Sequence, residues 1–250
     1  MKIKVTCMQC FQINGIPSNE FDLIEINDTG MLEHECSFGH KNTTVIQQLN
    51  FEILFTLAGM ALLDGYSRES IVSIAASLER FYEFYIKVIL IDYKIDFNDF
   101  DSAWKNVKNQ SERQFGAFIF LYLLSHKGKN PPLIDEEKPD LPGVSKNSLK
   151  TWKSFRNDVV HKGYIPTPQE TISYSEIVYK HIIVLIEDLQ SNYPSSVRKV
   201  VTNHIGRSIT ISNKSHMSIP TIISLIKKHE DSYQTALESV KNYKESLYSK

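Results

Sequence analysis

The sequence has almost no net charge. Its 28 lysines and arginines stand against 29 acidic residues, which leaves −1 at pH 7 with histidine neutral. A globally basic nucleic-acid binder is excluded, and a polyanion would have to be met by a local patch, because affinity follows the charges near the phosphates. Long apolar runs are missing too. The longest, FEILFTLAGMALLDG (51–65), is broken by Glu52 and Asp64 and falls short of the ~20 residues a membrane helix needs, so a core helix is expected and no membrane partner. The opening MKIKVTCMQC lacks the apolar core of a secretory signal, which predicts a cytoplasmic protein. Cysteine is scarce, with three residues, and an odd number in a reducing compartment argues against a disulfide framework. No GxxxxGK[ST], HExxH or GxSxG pattern occurs, so the common phosphate-loop, zinc-protease and serine-hydrolase signatures are absent.

What is present is an ordinary globular composition, 42% apolar and 23% charged over 250 residues, enough for one or two domains with a sizeable core. The charge is unevenly spread. In the first 50 residues Lys2, Lys4 and Lys41 face Glu20, Asp22, Glu25, Asp28, Glu33 and Glu35, whereas residues 141–164 carry Lys146, Lys150, Lys153, Arg156 and Lys162 against Asp158 alone.

All three cysteines lie in the acidic segment, in the pattern C-x2-C-x25-C-x3-H formed by Cys7, Cys10, Cys36 and His40. A zinc ion takes four soft or borderline ligands in a tetrahedron, and two such pairs supply them; His34 is an alternative fourth ligand. FDLIEI and MLEHEC alternate like strands on either side of the turn NDTG, the hairpin of a zinc ribbon. Four protein ligands leave no open position for water, so the expected zinc is structural, substituting for a core too small to fold alone.

After residue 46 the periodicity becomes helical. Segments 47–64, 67–95, 102–126, 146–162 and 171–190 each repeat apolar residues three and four positions apart, which predicts five helices. Gly65 ends the first, and Ser67 and Ser70 are candidate caps for the second, whose stripe runs Ile74, Leu78, Tyr82, Tyr85, Ile89. KGKNPPLIDEEKPDLPGV, with four prolines and two glycines, predicts a long loop before the fourth helix. From Tyr193 a second loop and then an amphipathic helix, TALESVKNYKESLY, are expected. The division is a zinc-ribbon-like module (1–46), a helical bundle (47–190) and a carboxyl-terminal helical extension (191–250), mainly α overall.

The fourth helix, LKTWKSFRNDVVHKG, carries the chemistry. Spacing residues about 100° apart puts Leu149, Trp152, Phe155, Val159 and Val160 on one arc with Arg156 in its middle. An unpaired buried guanidinium is costly, so Arg156 requires a carboxylate such as Glu79, a watery cleft or a ligand. Gly163 suits the left-handed residue that ends a helix and Pro166 blocks resumption, so the helix stops near Lys162 and His161 is expected to be free to turn toward Arg156. The residues alone leave open a purely structural role, in which His161 and Lys162 complement the helix dipole.

A five-helix bundle with "RNDVVHKG" near the start of its last hairpin, preceded by the acidic helix segment "ASLERFYEF", resembles the HEPN superfamily over residues 47–190. Arg156, Asn157 and His161 match its motif of Arg, a polar residue, and His. The resemblance implies a homodimeric, metal-independent endoribonuclease, of a kind that includes toxins and antiviral effectors with an inhibitor or regulatory partner. His161 would move the proton of the 2'-hydroxyl, Arg156 would hold the phosphate, and Asn157 would orient the imidazole or a phosphate oxygen. Lys150, Lys153 and Lys162 would attract the RNA backbone. The alternative within the same resemblance is a non-catalytic module that binds RNA or a protein.

Overall fold

The computed structural model describes residues 1–15, 21–134, 137–138, 150–206, 214–226 and 232–248. It is mainly helical with a small amino-terminal sheet region. β1 (Lys2–Val5), the short helix α1 (Met8–Asn14), β2 (Asp22–Glu25), β3 (Met31–Glu35) and β4 (Lys41–Ile46) come first. Then follow α2 (Asn50–Leu63), α3 (Ser67–Asp92), α4 (Phe97–Trp104), α5 (Ser111–Ser125), α6 (Trp152–Lys162), α7 (Pro168–Asn192), α8 (Pro194–Gly206), β5 (Lys214–Met217) and α9 (Tyr233–Tyr248).

The centre is α3. Its burial extends well beyond the predicted stripe, since Phe81, Phe84, Ile86, Val88 and Ile91 are buried along with Ile74, Leu78, Tyr85 and Ile89. α2, α5, α6, α7 and α8 all pack against it. Aromatic edges make the junctions: Phe51 of α2 meets Phe81 edge-on at 5.2 Å, and Tyr82 stacks on Phe118 of α5 at 4.4 Å. Tyr82 also hydrogen-bonds the buried His181 of α7 at 3.0 Å, and burial pushes that imidazole down to about 4, so it stays neutral.

The strands depart from the expected hairpin across NDTG. β2 pairs antiparallel with β1, Lys2 opposite Glu25, and β3 pairs antiparallel with β4, Met31 opposite Val45. Asn27 shapes the connection instead. Its side chain accepts from Thr29 N at 3.1 Å and donates to Met31 O at 2.8 Å, while Gly30 takes φ 65°, so the chain turns from one sheet into the other. The segment expected as one helix over 102–126 is two: α4, which Asp96 caps at its start by accepting from Asn98 N at 2.8 Å, ends at Trp104, and α5 begins at Ser111. Neither Ser67 nor Ser70 caps α3: Tyr66 is the cap residue and the Ser70 hydroxyl is buried without a partner. Residues 135–136 and 139–149 of the proline-rich loop lie outside the described residues.

The carboxyl-terminal residues are built into the rest of the molecule. β5 adds to β4 in parallel, Val45 opposite His216, where a loop had been expected, and α8 replaces the start of that loop. Residues 218–225 run across α2 as a strap tied by side chains of that helix and of Gln48 before it. Gln48 Oε1 accepts from Ile219 N at 3.0 Å, Thr56 Oγ1 from Ile222 N at 3.2 Å, and Glu52 Oε1 from Leu225 N at 3.0 Å. These buried N–H groups have no sheet to join, so the side chains satisfy them. Gly59 allows the close approach, since a methyl there would stand 2.4 Å from Ile222 Cδ1.

Glu52 is 4% exposed, and burial pushes its carboxyl up to about 7 against the backbone N–H groups of Leu49 and Leu225 that pull it down. Its ordinary value is 4.5, so between the two the folded chain holds a proton that the unfolded chain has released, and stability falls as pH rises. Urea denaturation at about pH 5 and about pH 8 should show a loss of up to about 3 kcal/mol from this group, and Glu52→Gln should flatten the slope. Equal slopes in the two proteins would remove the assignment.

Candidate functional site

Helix α6 is set by its two ends. Thr151 caps it by accepting from Ser154 N at 3.3 Å, and Gly163, at φ 73°, closes it with its N–H on Asp158 O. Tyr164 N also reaches that carbonyl, at 3.1 Å. Trp152, Phe155 and Val159 form the buried face, with Trp152 and Phe155 against Tyr174 of α7 at 5.5 and 5.8 Å. Leu149, expected on the same arc, lies outside the described residues.

The polar face carries the motif. Ser154, Asn157 and His161 stand at successive turns, and with Thr151, Lys153 and Lys162 they line an open depression of about 450 Å³. His161 is exposed. Because α6 stays helical through Lys162, His161 keeps its helical direction and is not released to swing toward Arg156, as had been expected; the two remain about 140° apart around the axis.

Arg156 sits at the border, half-buried, with Nε and Nη2 donating to Asn157 Oδ1 at 3.3 and 3.1 Å. Asn157 thus orients the guanidinium rather than the imidazole. Among the described residues no carboxylate forms an ion pair with Arg156, so Glu79 is not its direct partner. Glu79 on α3 is nevertheless close enough to interact electrostatically with both Arg156 and His161. Burial raises its carboxyl above the ordinary range, while Arg80, Arg156 and His161 pull it down. Glu112, at the start of α5, is held below the ordinary carboxylate value by its own backbone N–H, with Arg156 and Lys153 contributing.

Asp158, on the buried side, is bonded to Lys150 and pairs with Lys162 at 2.9 Å, and these contacts lower its carboxyl. Two of the three lysines expected to draw in a polyanion are therefore already engaged with the one acid of the basic stretch. Lys153 is exposed and lines the depression.

The cysteine pairs come together as their spacing predicts. Cys7 caps α1, accepting from Cys10 N at 3.4 Å, and Gly39 turns the second pair, with its N–H on Cys36 O at 2.8 Å. The three Sγ atoms and one nitrogen of His40 all lie within 4.8 Å of one another. Three separations are 3.7 Å (Cys10–Cys36), 3.8 Å (Cys7–His40 Nδ1) and 3.2 Å (Cys10–His40 Nδ1). A tetrahedron with metal–sulfur bonds of ~2.3 Å has edges of about 3.8 Å, so the set fits a four-coordinate ion. The four residues are able to hold a metal such as zinc.

His34 is not in this set. It is 9% exposed on β3, opposite Asn42, and neither ring nitrogen has a partner. Asn42 itself was not foreseen. Its Nδ2 donates to Cys7 Sγ at 3.1 Å and to His40 O at 3.0 Å, bracing one ligand from each pair. Burial pushes the Cys7 thiol up, but Cys10, His40 and Asn42 outweigh it and bring it down to about 6, whereas burial and the neighbouring thiols push Cys10 up to about 12. A cation at the centre supplies the charge that such crowded thiolates require.

Comparison of the chain with protein-family models, with curated proteins and with solved structures finds no match.

The purified protein should carry one metal ion per chain by elemental analysis. Cys10→Ser and His40→Ala should lose it, His34→Ala should retain it, and Asn42→Ala should weaken it about 10- to 100-fold. Metal retained in both ligand variants would rule out the set.

Proposed function

We propose that the chain is a metal-independent endoribonuclease of HEPN type, homodimeric, with a zinc ion in the cysteine module serving structure alone. The observation that carries the reading is the placement of His161 and Asn157 with Lys153 and Lys162 around one open depression, beside an Arg156 that no described carboxylate locks. Such a surface suits a strand whose backbone is anionic and whose nucleophile is its own 2'-hydroxyl.

In this mechanism His161 takes the proton of the 2'-hydroxyl. The oxygen attacks phosphorus in line, the P–O5' bond breaks, and the leaving oxygen takes a proton from water, which recovers one from the His161 imidazolium. The products are a 2',3'-cyclic phosphate and a 5'-hydroxyl. Arg156, released from Asn157 Oδ1 onto the phosphate, would stabilise the charge growing on the equatorial oxygens with two parallel N–H donors. Asp158 does not oppose the approach, because Lys150 and Lys162 offset it. Glu79 is a positioning residue, its half-buried carboxyl group acting on both Arg156 and His161 from α3.

Zinc is the ion of choice for three thiols and one imidazole in a closed set, and it would hold α1 to the Cys36–His40 turn. A toxin or antiviral role, held in check by an inhibitor or regulatory protein, belongs to the same family analogy.

One observation favours a second reading. Arg156 and His161 leave the axis of α6 about 140° apart, and a module that binds RNA or protein without cleaving it needs no convergence of the two. Incubation of zinc-loaded protein with total RNA and a brief excess of chelator separates the readings. Cleavage leaving cyclic-phosphate ends, lost at least about 100-fold in His161→Ala and in Arg156→Ala with the fold intact, is the expected result. Intact RNA with the folded wild-type chain would favour the binding module.

A further inference from the structure

We propose that the cavity between the amino-terminal strands and the helical bundle is a binding site for a small organic anion, an apolar body carrying one anionic group. This inference does not depend on the ribonuclease reading.

The buried apolar residues form two cores. One surrounds α3, and the other lies between the strands and α2, with Ile3, Val5, Leu32, Ile46 and Ile53 in it. A cavity of about 340 Å³ opens on the seam where they meet. Voids inside a packed core seldom exceed a water molecule, whereas ligand sites start at about 300 Å³ and favour such junctions. Val45 and Ile46 of β4, Phe51 of α2, Phe84 of α3 and Val200 of α8 supply the apolar lining. Each is at most 5% exposed, so a ligand meets side chains already held in place.

The charged lining comes from α3. Arg80, Glu83 and Lys87 stand three and four positions apart on one stripe of a helix that is otherwise covered, and all three line the cavity. Charges in such a place require water or a ligand. Glu83 is already engaged by Arg80 Nη1 at 2.6 Å. From the other side the buried Gln114 fixes the guanidinium, its Oε1 accepting from Nη2 at 3.0 Å while its own Nε2 is held on Lys108 O at 2.7 Å. A guanidinium has five N–H donors, and these contacts use two. Lys87, 8% exposed, gives one hydrogen bond, to Asp101 at 2.9 Å, with its ammonium 4.7 Å from the ring of Phe100.

More donors come from α2. Its cap residue Leu49 has no side-chain oxygen, and Glu52 N turns to Leu49 O at 3.0 Å, so Asn50 N and Phe51 N keep no partner among the described residues. The other acid of the lining, Asp28, lies exposed in the turn before β3. Donors are thus in surplus and the inner carboxylate is already paired, which selects an anion over a cation.

Fluorescence titration of the full chain with 8-anilinonaphthalene-1-sulfonate tests the site against N-phenyl-1-naphthylamine, the same rings without the sulfonate. The sulfonate should bind once per chain and at least about tenfold more tightly than the neutral amine. Arg80→Gln should erase that preference and leave the amine bound as before, whereas Arg80→Lys, which keeps the charge, should retain most of it. Asn203 of α8 also lines the cavity, and Asn203→Trp, which fills it without altering a charge, should weaken both probes at least about tenfold. Circular dichroism should be unchanged in all three variants. No saturable binding, equal affinity for the two probes, or a preference that survives Arg80→Gln would overturn the proposal. So would binding that Asn203→Trp leaves untouched, because the probe would then be held elsewhere.

Discussion

Helix α3 is apolar on almost every side, and a helix of that kind has to be covered all the way round. The arrangement of the other helices follows from that requirement. α2 covers one face with Phe51 and Phe55, α5 another with Phe118, and α7 a third with Val178, Ile182 and Leu185, while α6 and α8 fill the remaining flanks. The motif inherits its position from this packing. Trp152, Phe155 and Val159 bind α6 to the core, which leaves Ser154, Asn157 and His161 facing out. The motif is thus carried on a helix fixed to the core, with Arg156 half-buried at the boundary between oil and water.

A second constraint is the satisfaction of backbone groups in the strap over α2. A stretch without regular structure was able to enter the interior only because Gln48, Glu52 and Thr56 present oxygens to its N–H groups. Glu52 does this while also capping its own helix, accepting from Leu49 N at 2.7 Å. One side chain therefore holds both the start of α2 and the end of the strap, and its burial is the cost of doing both.

Helix positions were legible in the sequence wherever a period of 3.6 was long and uninterrupted, as in α2, α3, α7 and α9. The four candidate metal ligands were legible for a different reason, because C-x2-C and C-x3-H each encode a local turn that depends on no distant residue. What was not legible was set by tertiary contact. Nothing marks Asn42 as a brace for Cys7, or Lys150 and Lys162 as partners of Asp158, until the chain is folded. The β2–β3 hairpin was misread because alternation shows that a segment is a strand but not which strand it pairs with. The start of α4 was signalled by Asp96, a good cap that apolar periodicity overlooks. The end of α6 at Gly163 was legible, but a helix that runs through Lys162 keeps His161 in helical geometry, which the apolar arc and the stop signal do not reveal.

The parallel pairing of β5 with β4 has a consequence in time. Thr44 and Ser215, whose hydroxyls meet at 3.0 Å, are 171 residues apart. During synthesis the early strand keeps a bare edge until the late one leaves the ribosome, a wait on the order of ten to thirty seconds at ordinary elongation rates. The cysteine cluster closes within residues 7–40 and needs no such wait, so a captured ion would let the nascent amino-terminal segment hold its shape until the last strand arrives.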